Sequence, residues 1–155
     1  MSKTVVTMGL GCVTLFGALI VGFIYLGSTG PDTAVYTGRQ IPKEYMATIR
    51  SLGLLEVGED IRYFYSDALF DIETGFYFVT TDHLVLYSSA WEEPATIIPL
   101  DQIEDVEAEF VDSIWEDSFI YVTTASGLEV SFPVSSEQGG DKRFMQALEQ
   151  SLAVE

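Results

Sequence analysis

The chain has 155 residues, 48% of them hydrophobic, with 24 acidic side chains against seven Lys and Arg, for a net charge of −17. Nucleic-acid binding draws on cationic side chains that release counterions, and phosphate recognition draws on Lys and Arg donors, so this balance excludes a nucleic-acid partner and disfavours anionic headgroups. A single cysteine, Cys12, leaves no disulfide framework.

The N-terminal region carries the first element. Residues 4–31 form a run of 28 without a charged side chain, and 5–26 are almost wholly apolar. Roughly 20 apolar residues at 1.5 Å rise cross a hydrocarbon core about 30 Å thick, so residues 5–27 are predicted to be a single transmembrane helix after a short tail, 1–4. A cleaved secretory signal has a shorter apolar region, of about 7–15 residues. A lipidated Cys12 is disfavoured because Gly9 stands where a large aliphatic is preferred and the strongest hydrophobicity follows the cysteine.

Gly11, Ala18 and Gly22 fall near one stripe of this helix, and Ala18-x-x-x-Gly22 has the small-residue spacing that lets a second backbone approach closely. The expected partners are other transmembrane proteins of a complex, with membrane lipid around the remaining faces. Glycine is common in membrane helices, so a helix without a specific partner is the plainer alternative. Lys3 before the span, against Arg39 and Lys43 after it, favours a cytoplasmic C-terminal domain on the inner cell membrane.

Residues 28–41 read as a linker that opens on the helix-stopping Ser28-Thr29-Gly30-Pro31, and 42–153 as one domain. Pro42 starts a helix over about 42–52, with Tyr45, Met46, Ile49 and Leu52 on one face. The period then becomes strand-like, with strands expected over 61–66, 75–80, 84–88, 96–99, 103–110, 119–124 and 128–134. The last two are joined through Ala125-Ser126-Gly127 as a hairpin. Asp141 is read as the N-cap of a terminal helix over about 141–152, whose apolar stripe is Phe144, Met145, Leu148 and Leu152. Of the aromatics on the strands, from Tyr63 to Tyr121, half are expected to fill a core and half to lie outside.

Two segments resemble a known family. Residues 77–87, Tyr-Phe-Val-Thr-Thr-Asp-His-Leu-Val-Leu-Tyr, are similar to the hairpin of bacterial pleckstrin-homology-like (PH-like) domains. Residues 98–106, Ile-Pro-Leu-Asp-Gln-Ile-Glu-Asp-Val, resemble the segment that follows it. The resemblance spans roughly 54–153 and implies a mainly-β PH-like barrel of about seven antiparallel strands capped by a C-terminal helix. Phosphoinositide binding in many eukaryotic PH domains relies on basic residues in the turn after the first strand. Here that turn, 67–75, carries Asp67, Asp71 and Glu73 and no base, so phosphoinositide binding is not expected.

Chemistry-bearing motifs are scarce. There is no nucleophile elbow, P-loop, dinucleotide fingerprint or Cys/His metal spacing, and no cofactor is implied. The lone His83 has no carboxylate neighbour in sequence beyond Asp82, and reads as a turn residue. The acid-rich stretch 101–117 lacks calcium-loop spacing and alternates with Ile103, Val106, Ala108 and Phe110, as the wet face of a strand does.

Trp91 and Trp115 sit in loops beside acids. They read either as rings folded back over the core or as interface anchors. No catalytic, metal or cofactor residue is assigned. The expectation is a non-enzymatic, single-pass accessory or structural subunit of a membrane complex. A membrane-surface lipid- or ligand-binding module is the alternative, and an unrecognised enzyme the remote one.

Overall fold

Short strands pair into two antiparallel sheets, with burial that alternates along strands of the second sheet and is continuous along the central strands of the first. In the computed structural model, residues 34–68, 71–113 and 116–153 are described. The chain divides into two units, Met1–Gly30 and Pro31–Glu155, and every described residue belongs to the second. The predicted span 5–27, with Gly11, Ala18 and Gly22, lies outside the described residues, as do Trp115 and residues 28–33 of the predicted linker. Among the described residues, no helix is long and apolar enough to cross a membrane.

The first sheet is β1 (Tyr36–Thr37), β2 (Tyr63–Tyr65), β3 (Phe76–Val79), β4 (His83–Tyr87) and β5 (Ala95–Pro99), in that spatial order. The second is β6 (Ile103–Glu109), β7 (Ser118–Thr124) and β8 (Glu129–Val134), also in sequence order. Helix α1 (Lys43–Ser51) precedes β2, and α2 (Gly140–Leu152) follows β8. The fold is mainly β, with antiparallel strands and a C-terminal helix. The seven expected strands are present as β2 to β8, and β1 is an eighth that the sequence reading left inside the linker.

That early strand is held by backbone geometry. The Gly38 N–H donates to the Arg62 carbonyl at 3.0 Å, and a Cβ on Gly38 would collide with the Ile61 carbonyl oxygen. Val35 and Ile41 on either side are buried, so the folded unit includes residues before Pro42.

Two hydrophobic clusters share the first sheet. Tyr65, Tyr77, Val79, Leu84, Leu86 and Ile98 point inward and meet Ile120, Val122, Phe132 and Val134 of the second sheet, together with Phe144 and Leu148 of α2. The opposite face presents Phe64, Phe76, Phe78, Val85 and Tyr87 to Ile41, Ile49 and Leu54, with Tyr45, Met46 and Leu52 packed against them. The α1 stripe read from sequence therefore covers the outside of the first sheet. This overturns the expected half-and-half division of the aromatics. Phe64, Tyr65, Phe76, Tyr77 and Phe78 are all buried, because both faces of β2 and β3 have something packed on them. Phe76 stacks on Tyr87 with ring centroids 4.7 Å apart, and Tyr45 of α1 lies 5.9 Å from Phe64.

The start of α2 also differs from expectation. Gly139, left-handed at φ 71°, is the cap, and Asp141 lies buried in the first turn. Its carboxylate accepts from the Ser118 hydroxyl at 2.6 Å and from the Lys142 N–H at 2.7 Å. The Ser118 Oγ in turn accepts the Val111 N–H at 3.0 Å. Asp141 thus ties α2 to the beginning of β7 instead of capping the helix. The β7–β8 hairpin turns through Ala125 and Ser126 as expected, with Gly127 at φ 83°.

Candidate functional site

In the second sheet, alternation sends one set of side chains inward and leaves the other in solvent. On β7, Ser118, Ile120, Val122 and Thr124 are buried, while Phe119 and Tyr121 are 42% and 41% exposed. Across the sheet, Phe119 is flanked in register by Glu109 of β6 and Pro133 of β8, and Tyr121 by Glu107 and Ser131. The outer face is therefore a short aromatic column with carboxylates along β6. A register shift between Ile103 and Asp105 lets the adjacent acids Glu104 and Asp105 both stay exposed while Val106 and Ala108 still face the core. The expected wet face of this strand is present. Phe110, expected to continue the inward alternation, falls just past the strand end and is exposed, with Lys142 Nζ 6.0 Å from its ring centre.

The column opens into a groove of about 650 Å³ that runs from Tyr121 and Phe119 to Glu116 and Asp117. The phenol of Tyr121 donates to Glu109 at 3.3 Å. Desolvation and then the Glu109 charge hold that phenol above the ordinary tyrosine value. At the far end Asp117 is half-buried. Burial raises its pKa, the Tyr65 hydroxyl donated at 3.1 Å lowers it, and the charge of Asp67 raises it further, with a net upward shift. Asp67 accepts from the Tyr77 hydroxyl at 3.0 Å, and Tyr65 and Tyr77 are stacked beneath, with centroids 6.3 Å apart. Burial, then the nearby carboxylates, push both of these phenols up. No Lys or Arg occurs between Arg62 and Lys142, whereas seventeen Asp and Glu lie in or between those limits.

The acids of the 67–75 turn have structural positions. Besides Asp67, Asp71 accepts the Glu73 N–H at 3.0 Å to cap a 3₁₀ turn over Ile72–Thr74, and the Ser66 hydroxyl closes the turn on the Gly75 carbonyl at 2.6 Å.

A second polar cluster lies elsewhere. His83 opens β4, and its Nδ1 is 3.0 Å from Oε1 of Glu59, whose side chain is only 6% exposed. By sequence, the only carboxylate beside this imidazole is the adjacent Asp82. The fold supplies one from 24 residues away, in the α1–β2 connection, a separation that no local motif signals. Thr80 joins the cluster by donating its hydroxyl to Glu59 and accepting the N–H groups of Asp82 and His83 at 3.1 and 2.9 Å. Burial alone would raise the Glu59 pKa, but the Thr80 and His83 hydrogen bonds, the Glu56 N–H and the His83 charge bring it below the ordinary 4.5. The cluster borders a cleft of about 450 Å³ that includes Asp82, Asp101 and Ser151. The Ser151 hydroxyl is engaged, donating to the Ala147 carbonyl and accepting from Arg62, so it is not poised as a nucleophile.

Among the described residues, no group of three His, Cys, Asp or Glu could hold a metal ion. Trp91 lies in the β4–β5 loop, 39% exposed, its backbone N–H donating to the Ser88 carbonyl at 3.2 Å, and it does not line the aromatic groove. Phe119 and Tyr121 were not singled out from sequence. Their signal was present, since they alternate with the inward Ile120 and Val122, but choosing the outward pair requires knowing which face of β7 is covered.

No family model matches the chain, and no curated protein does. Among solved structures, a DUF1696-family protein with a pleckstrin-homology domain from Shewanella loihica is similar at 12% identity, over 79% of this chain and 100% of that one, with a TM-score of 0.49. A pleckstrin homology domain from Shewanella amazonensis is 13% identical over 71% of this chain and 86% of its own, also with a TM-score of 0.49. The C-terminal domain of an unknown protein from Leishmania infantum is 14% identical over 71% and 96%, with a TM-score of 0.42.

Proposed function

We propose that the chain is a non-catalytic, single-pass membrane protein whose PH-like domain serves as an accessory or structural subunit of a larger membrane complex. The observation that carries this reading is the solvent-exposed aromatic column of the second sheet. Phe119 and Tyr121 stand in line on one regular sheet face, beside a groove whose wall also includes Pro133. Large aromatics on a rigid strand are also the side chains that most often dominate protein interfaces. The uncharged run 4–31 supports the membrane anchor, and the small-residue face Gly11, Ala18 and Gly22 is a second contact element. The well-occupied hydrogen bonds around His83 and Ser151 favour a structural over a catalytic use of that cleft.

The test is co-purification of the full chain from gently solubilised membranes, in parallel with the Phe119→Ala/Tyr121→Ala variant. The expected result is a reproducible partner that the variant loses while its circular dichroism is unchanged. A monodisperse monomer without any partner would overturn the reading.

A further inference from the structure

We infer that the groove over Phe119 and Tyr121 receives an extended polypeptide segment bearing arginine side chains, contributed by a different protein. The inference rests on the interaction-module reading and names the chemistry of its partner.

Three observations carry it. First, the aromatic rings are flanked by acids in fixed register: Glu109 lies directly opposite Phe119, Glu107 opposite Tyr121, and Asp117 closes the end of the groove. A guanidinium is the group that satisfies both features at once, because its plane stacks on an aromatic face while its edge forks onto carboxylate oxygens; an ammonium is a compact point charge without that planar fork. Second, the segment that forms this face contains no cation of its own. The described Lys and Arg residues are Arg39, Lys43, Arg50, Arg62, Lys142 and Arg143, all outside β2 to β8. The carboxylates of the face are thus not neutralised from within it, and Glu109, Glu116 and Asp117 line the groove with no Lys or Arg among its lining residues. Third, the net charge of −17 narrows the occupant. Two copies of the chain repel each other, and nucleic acid and anionic membrane are repelled as well, which leaves a cationic protein segment.

The geometry also favours an extended chain. Residues along β7 that share a face recur at about 6–7 Å, the spacing at which alternate side chains of an extended peptide recur. Arginines two apart would therefore meet the Glu109–Phe119 and Glu107–Tyr121 rows in turn.

The experiment uses the full chain in non-ionic detergent and a short fluorescent peptide of alternating Arg and Leu, followed by anisotropy. The control is the same peptide with uncharged, isosteric citrulline in place of Arg. The Arg peptide is expected to bind and the citrulline peptide to bind at least about tenfold more weakly, with affinity falling as salt rises. Phe119→Ala with Tyr121→Ala should weaken binding by roughly tenfold or more. Glu107→Gln with Glu109→Gln should weaken it about fivefold, whereas Glu92→Gln with Glu93→Gln, which removes the same charge from the β4–β5 loop, should change it less than about twofold.

Equal losses in the two charge-matched pairs would mean diffuse attraction and would overturn the site. Absence of binding by the Arg peptide, or a dimer of the chain that depends on Phe119 and Tyr121, would overturn the partner. If a co-purified partner is lost with Phe119→Ala/Tyr121→Ala but retained with Glu107→Gln/Glu109→Gln, the interaction module stands and the arginine inference falls.

Discussion

The outer faces of the two sheets begin from the same ingredients and end differently. On β3 the outward residues are Phe76 and Phe78, and both are fully buried, because α1 brings Ile49 and its neighbours across them. On β7 the outward residues are Phe119 and Tyr121, and each keeps about two-fifths of its surface in solvent. Strand chemistry does not distinguish the two pairs, since both are aromatic residues in alternating runs. The difference is a helix lying over one sheet and none of the described elements lying over the other. An aromatic on an outer sheet face is therefore core or exposed surface according to what covers it, and among the described residues the second sheet is where an outward aromatic pair on one strand stays exposed.

The sharpest way to test the contrast is to remove one ring from each face. Phe76→Ala should destabilise the domain by about 3–5 kcal/mol in chemical unfolding, because it empties a stack with Tyr87 and Phe64 that has no room to relax. Phe119→Ala should shift the same midpoint by no more than about 0.5 kcal/mol, the range of ordinary surface substitutions. Comparable losses from both would erase the distinction between a covered and a free face.

Next in size is the attachment of the covering segment. Gly38→Ala would drive a methyl group into the Ile61 carbonyl, and should cost about 1–3 kcal/mol. Hydrogen exchange should report it as faster exchange at the Gly38 amide and around Ile61 and Arg62, with β6 to β8 unaffected. Uniform loss of protection would show that the N-terminal cover is not a separable layer.

Glu59 offers a pH signature on the covered side. Its folded pKa is depressed below 4.5, so the unfolded chain binds more protons in the window between the two values. The stabilisation is fully present above the unfolded value and is lost as pH falls through the folded one. Glu59→Gln should reduce stability by about 1–2 kcal/mol at neutral pH and flatten this part of the acid limb. A variant whose acid limb is superimposable on the parent's would remove Glu59 from the account.

Asp117 should behave in the opposite sense. Its folded pKa is raised, chiefly by burial, so the native state binds more protons than the unfolded chain between the two values, and stability declines as pH rises through that window. Asp117→Asn should therefore raise Tm slightly at neutral pH, by about 1–2 °C, with the gain vanishing in acid. The same change should weaken binding of an arginine peptide. Gaining stability while losing binding is what a residue kept for recognition does, and a destabilised Asp117→Asn variant would argue that the carboxylate is structural.

Much of the fold was legible in the chain because it is written in local periodicity. Residues 43–51 with their apolar stripe, strands β2 to β8 and the helix at 140–152 all follow from alternation, turn residues and the 3.6-residue repeat, each of which acts within a few positions. What escaped was decided over longer separations. Tyr36–Thr37 is a strand only because β2 offers it an edge, and Asp141 sits inside the first turn of α2, where its carboxylate accepts the hydroxyl of Ser118, 23 residues earlier. Glu59 reaches His83 across 24 residues, and no spacing rule signals such a pair. Of the two tryptophans read as candidate anchors, Trp91 is exposed in its loop, while the column that carries the proposed site lies on β7.

The sequence by itself determined that this is an acidic chain with a 28-residue uncharged run, a mainly-β domain with a terminal amphipathic helix, and no motif of known chemistry. Those properties are sums or short-range repeats, and need no partner in space to be read. Only the tertiary structure decided which side of each strand is covered, because that depends on where α1 and α2 come to rest. It is for this reason that Phe76 became core and Phe119 became surface, and that the candidate contact face could be found only after the chain had folded.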